Sequence, residues 1–304
     1  MPQPQNDRDR AVAWLLGVAA GCALLVLAVH YVFVATARGQ LVDSAALQGA
    51  QIGRQHIIEP VQRVLDVVSV GSLAAAAVVA GAVALLRRRV VLAGVAVMTV
   101  VASNVSTQVL KQLLLERPDL GLTTQGLTEN TLPSGHTTVA MSVAAAAVLV
   151  APSRMRAAVA LVAASYGAAT GVATLSAGYH RPSDAIAAAL VVGAWAAGLA
   201  GLAVVVAPDV DPGQVPGRGT AHPYVATLLG GTAAALLLFG AVATYVTARS
   251  LPGSLDRPHL LVAYAGGAAL IAGTAFAVVA ALVVVVHRVA PPLPQRTPLA
   301  RRTA

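Results

Sequence analysis

The chain has 304 residues, of which 57% are hydrophobic and 11% charged, and its mean hydropathy is +0.76. Soluble domains carry about 25% charged residues, so this composition excludes an ordinary soluble fold and points to the membrane. The net charge of +8 is spread over short loops between apolar runs and is not gathered on one face, which argues against a nucleic-acid partner.

A spanning helix needs about 20 mostly apolar residues. After a cytoplasmic N-terminal segment, residues 1–10, eight stretches meet or approach this: 11–36, 64–86, 90–113, 135–151, 157–178, 185–207, 224–247 and 260–286. The fourth is short unless Ser134 begins it. The runs are continuously apolar and not alternating, which speaks against a barrel. The string AAGC at Cys22 resembles a lipoprotein cleavage box, but the apolar run continues beyond it. A single cysteine excludes an intrachain disulfide or a cysteine cluster.

The fold class expected is all-α, a polytopic membrane helical bundle. Residues 11–207 form a six-span core. Residues 208–222, rich in Pro, Gly and Asp, read as a cytoplasmic linker, and 223–287 form a C-terminal two-span hairpin. Residues 288–304 read as a disordered basic tail near anionic lipid. With the N-terminus inside, twelve of the 20 basic residues fall on the inner side, including Arg87, Arg88 and Arg89. Both termini are then cytoplasmic, and Lys111, Arg117, His136, His180 and Asp184 share the outer side.

Three polar strings interrupt the apolar pattern, in chain order. The first is KQLLLERP, Lys111 to Pro118, at the outer end of the third span. A lysine there either anchors the helix at the interface or meets an anion. The second is LPSGH. Pro133 suits a helix entrance, Ser134 can cap it, and Gly135 lets a ligand approach the backbone. The N–H groups and dipole of such a helix favour phosphate, and His136 on its first turn can donate a proton. The third is GYHRPSD. His180 and Asp184 lie four apart, so a carboxylate can fix one imidazole nitrogen and leave the other to attack. Each string also has a plain structural reading: an anchor, a capped helix, and a loop histidine beside a helix cap.

Together, in this order, the strings resemble the PAP2 (type 2 phosphatidic acid phosphatase) superfamily. Arg117-Pro118, Pro133-Ser134-Gly135-His136 and His180-x-x-x-Asp184 match as they stand, over about residues 60–207. The resemblance implies an integral membrane lipid phosphatase working through a phosphohistidine, with no cofactor and no metal. It implies that His180 attacks phosphorus, Asp184 orients its ring and His136 protonates the leaving oxygen. Lys111, Arg117, Ser134 and the N–H of Gly135 would hold the phosphate oxygens. The expected substrate is a lipid phosphate or an isoprenoid (pyro)phosphate at the extracytoplasmic face of the cell membrane, with membrane lipids as surroundings. A lipid-phosphate transferase or a non-catalytic phospholipid binder remain as alternatives, and the oligomeric state is open.

Two departures from the family pattern stand out. Five residues, not the usual six, separate Lys111 from Arg117. Pro118 disfavours helix at Arg117, so that arginine is free to swing from a loop. The family's Ser-Arg pair falls at Ala173-Thr174, which lacks the cation. Arg181, next to His180, is the candidate replacement. The other histidines, His30, His56, His222, His259 and His287, are scattered singly and read as structural.

Overall fold

The computed structural model describes residues 3–66, 90–122, 129–206, 221–251 and 255–289, with positions 78 and 82. All regular structure among them is helical. Helix α1 (Gln3–Val29) runs on through a π-helical turn, His30–Val34. Helix α2 (Ala37–Ala50), a 3-10 turn (Arg54–His56) and α3 (Ile58–Asp66) follow. Helix α4 (Val90–Val109) ends in a second π turn, Leu110–Leu114. Then come α5 (Gly135–Val150), α6 (Ser153–Ser176), α7 (Pro182–Val206), α8 (Ala221–Ser250) and α9 (Arg257–Val289).

Among the described residues, six segments are long and apolar enough to cross a bilayer: Arg8–Val34, Val90–Leu114, Ser153–Ser176, Pro182–Val206, Pro223–Ser250 and Arg257–Val286. The chain is a multi-pass helical bundle. Large apolar side chains such as Leu24, Leu113, Val162 and Leu238 point outward, where lipid tails solvate them. The span expected at 64–86 lies almost wholly outside the described residues, as do the arginines at 87–89, nearly all of the 208–222 linker and the tail.

The interior is built from small residues, as helix packing without a hydrophobic driving force requires. Ala160, Ala164, Ala188, Ala196 and Ala200 are fully buried. Helix α7 is central, packed against α1, α4, α5 and α9, and α9 also covers α6 and α2. At Gly267 a Cβ would lie 2.5 Å from Cγ of Pro182, so α9 meets the start of α7 over bare backbone. Helix α8 packs chiefly on α9.

Two features fall where no span is expected or differ in depth from one. Helix α2 lies between the first two expected spans, started by Thr36, whose Oγ1 accepts from the Gly39 N–H at 3.1 Å. It buries Gln40, Asp43 and Ser44 inside the bundle. Helix α5 has 16 residues, about 24 Å of rise against about 30 Å of hydrocarbon. The segment leading into it sinks accordingly: Leu132 and Ser134 are fully buried.

Candidate active site

The loop before α5 is tied to both neighbouring helices by its own polar atoms. Asn130 Nδ2 donates to the carbonyl of Leu115 at 2.7 Å and to that of Lys111 at 3.3 Å, satisfying acceptors that the end of α4 leaves open. The Leu132–Pro133 peptide is cis. Ser134 then caps α5: its Oγ accepts from Thr137 N–H (3.3 Å) and Thr137 Oγ1 (3.0 Å), so its own hydroxyl proton remains to be donated. The Ser134 N–H donates to the carbonyl of Asp184 at 2.9 Å, joining the starts of α5 and α7. A Cβ at Gly135 would meet nothing nearer than Gln108 Nε2 at 4.0 Å.

The second half of the site is made by how α6 stops and α7 starts. Gly178 has φ +74°, the left-handed conformation that glycine adopts freely. Tyr179 N–H donates to Thr174 O (3.0 Å) and Gly178 N–H to Leu175 O (2.9 Å), the two bonds of a Schellman ending. Three residues after Tyr179, Pro182 opens α7. His180 is pinned between these two helix ends and is 8% exposed. Its Nδ1 lies 3.1 Å from Asp184 Oδ2. That oxygen also accepts from Thr131 Oγ1 (2.5 Å) and from the Arg181 N–H (3.0 Å). A carboxylate so placed holds the tautomer with hydrogen on Nδ1, and Nε2 keeps its lone pair.

His136, on the first turn of α5, is half-buried, its ring 6.4 Å from that of Tyr179. The charges of His180 and Lys111 both reach it. The two imidazoles therefore occupy the same end of the bundle.

Cations gather around this pair. Lys111 sits in the π turn and is in electrostatic reach of Asp184. The chain leaves the helix after Leu114, so Arg117 extends from a loop, as its proximity to Pro118 leads one to expect. That loop is held from outside: Gln40 Nε2 donates to Pro118 O at 3.0 Å, and His30 Nε2 lies 3.0 Å from Glu116 O. Burial, then the like charge of Arg181, pull the Arg117 pKa down from its ordinary value. Among the described residues its Nη2, though buried, has no acceptor. Arg181 is 2% exposed, with Nη1 3.4 Å from Thr131 Oγ1. A buried arginine and a half-buried one in mutual repulsion, with Lys111 in reach of the same Asp184, favour an anion near them.

Thr174, where the family pattern has a cation, is fully buried and donates to Gly171 O at 2.7 Å. It serves the helix ending and brings no charge. The candidate residues Lys111, Arg117, Ser134, Gly135, His136, His180, Arg181 and Asp184 thus belong to one cluster. Sequence reasoning missed Thr131, Asn130 and Asp43. Asn130 and Thr131 lie immediately before the LPSGH string, where their polar side chains beside a helix entrance were the available signal.

Residues 90–206 match the family model of the PAP2 superfamily. The match starts later than the resemblance read from the motifs, at the first residue of α4, and leaves out α1, α2, α3, α8 and α9. No curated protein and no solved structure matches the chain.

Proposed function

We propose that the chain, with its α4–α7 core in the PAP2 superfamily and the phosphatase-type chemistry on phosphate esters that this superfamily implies, dephosphorylates a lipid phosphate or isoprenoid (pyro)phosphate at the extracytoplasmic face of the membrane, without metal. The observation that carries this reading is the His180–Asp184 pair at 3.1 Å, ringed by Lys111, Arg117 and Arg181.

In this mechanism His180 Nε2 attacks phosphorus and the bond from phosphorus to the leaving oxygen breaks. His136, protonated, gives that oxygen its proton. Asp184 keeps hydrogen on Nδ1 and stabilises the charge that the ring gains on attack. Lys111, the two arginines, the Ser134 hydroxyl and the Gly135 N–H hold the other phosphate oxygens, where charge builds up in the transition state. Neutral His136 then takes a proton from water, which attacks the phosphohistidine and releases inorganic phosphate.

A lipid substrate is supported by an apolar groove of roughly 700 Å³ between α1, α4 and α7. Its walls include Ala23, Leu27, Val105, Leu110 and Leu114, and Trp195 Nε1 donates to Ser106 Oγ at 2.9 Å across it. Leu110 and Leu114 flank Lys111 in the π turn, so the groove runs along the turn that carries this cation. A single hydrocarbon or isoprenoid chain lying there would bring its phosphate to Lys111.

The test is phosphate release by the purified protein from phosphatidic acid and from a polyprenyl pyrophosphate in detergent micelles, with and without EDTA. Release unaffected by EDTA is expected, together with an acid-labile phosphoenzyme that His180→Ala abolishes. Equal release by His180→Ala overturns the reading, and binding without release by the wild type leaves a phospholipid-binding protein.

A further inference from the structure

Helix α7 begins at Pro182, so its N-cap is Arg181, whose side chain only donates and cannot close the helix. Asp184, at the third helical position, returns its carboxylate to the Arg181 N–H, which is half of a capping box. Pro182 has no N–H to satisfy. The next donor, the Ser183 N–H, is met from another part of the chain: Oδ1 of Asp43, on α2, accepts it at 3.1 Å. Ser183 Oγ donates to Asp43 Oδ2 at 2.5 Å. The partners are 140 residues apart, and α2 lies outside the matched family core.

A buried carboxyl is a costly way to cap a helix. Asp43 is 2% exposed. Burial first, then the charge of Asp184, push its pKa up to about 7, against the pull of Ser183 and Arg181. Arg117 faces it from the loop after α4. On its other side, α8 and α9 bring Thr244, Thr247, Gly267 and Leu270, with no titratable group in that lining. Among the described residues, the charged groups that Asp43 meets, Asp184, Arg181 and Arg117, belong to the candidate site.

We propose that Asp43 is a positioning residue for the nucleophile: it fixes the first turn of α7 through Ser183 and so holds Asp184 Oδ2 against His180 Nδ1. This rests on the phosphohistidine reading above. Residues 183 and 184 are consecutive on the first turn, so release of Ser183 loosens the carboxylate that orients the imidazole. A misplacement of about 1 Å in such an arrangement can cost about 100-fold in rate.

The experiment compares Asp43→Ala and Asp43→Asn with wild type on a short-chain phosphatidic acid in micelles. Asp43→Ala is expected to lower kcat by about 10- to 100-fold with KM little changed. Asp43→Asn is expected to recover most of that loss, because its amide accepts from the Ser183 N–H and donates to Ser183 Oγ. Unchanged kcat in Asp43→Ala, a change confined to KM, or a loss that Asn does not recover overturns the proposal. If Asp43→Ala does not fold, Ser183→Ala, which deletes only the hydroxyl bond, carries the same expectation at several-fold size, and unchanged kcat there counts against it. The ¹⁵N signals of the His180 ring, assigned by their loss in His180→Gln, separate this claim from the phosphatase reading. Should the wild type release no phosphate, loss of the Nδ1–H tautomer in Asp43→Ala still supports the positioning role, and identical signals refute it.

Discussion

Asp184 Oδ2 accepts from Thr131, from the Arg181 backbone and from His180 at once. A carboxylate oxygen saturated in this way has little freedom, and the imidazole it holds has less. Thr131→Val removes one donor while keeping the shape, and a several-fold fall in kcat is expected. Arg181 belongs to the same knot, whereas Thr174 spends its hydroxyl on Gly171. Arg181→Ala should therefore lower kcat/KM by about 100- to 1,000-fold, the scale for loss of a charge-stabilising donor. Lysine at 181 should restore little, since a point charge cannot reproduce a planar fork. An Arg181→Ala enzyme of near-normal activity would remove this residue from the site. Asp43 gives a pH signature of its own. Its folded-state pKa of about 7 lies above the ordinary 3.8, so the folded protein binds this proton more tightly than the unfolded chain. That stabilisation is fully present below about pH 4 and is lost as pH rises through about 7. Thermal unfolding midpoints measured across this window should fall in the wild type and flatten in Asp43→Asn.

At the scale of elements, the apolar helices and the punctuation between them were legible. Gly178 and Pro182 mark an ending and a beginning, and the two-helix junction they make is what presents His180. Helix α2 was not legible. Hydropathy reads its Gln40, Asp43 and Ser44 as solvent-facing loop, but all three are buried, and Gln40 and Asp43 reach carbonyls and a helix end that need partners. A segment whose polar face is the buried one inverts the rule on which span-finding rests. The sequence also carried no sign of the groove, because its walls come from three helices far apart in the chain. If that groove takes the substrate tail, Ala194→Phe should raise KM for a long-chain polyprenyl phosphate several-fold and leave hydrolysis of a short, water-soluble phosphate ester unaltered. Equal effects on both would detach the groove from substrate binding.

For the whole molecule, arginine placement predicts the sidedness, and chemical labelling tests it. In a Cys22→Ser background, a cysteine at the exposed position 249 should react with an impermeant maleimide added to intact cells, and one at position 154 only after lysis. The reverse pattern would put the site on the cytoplasmic face. The bundle as a whole explains why the candidate site is recessed. Helices α6 and α7 run 24 and 25 residues, whereas α5, packed against both, stops at 16. On the proposed reading, a site sunk beneath the headgroups is supplied sideways, from the leaflet. How often it fills then depends on the mole fraction of substrate among its fellow lipids, not on molarity in the surrounding water. Diluting the substrate with inert lipid at constant bulk concentration should slow turnover accordingly.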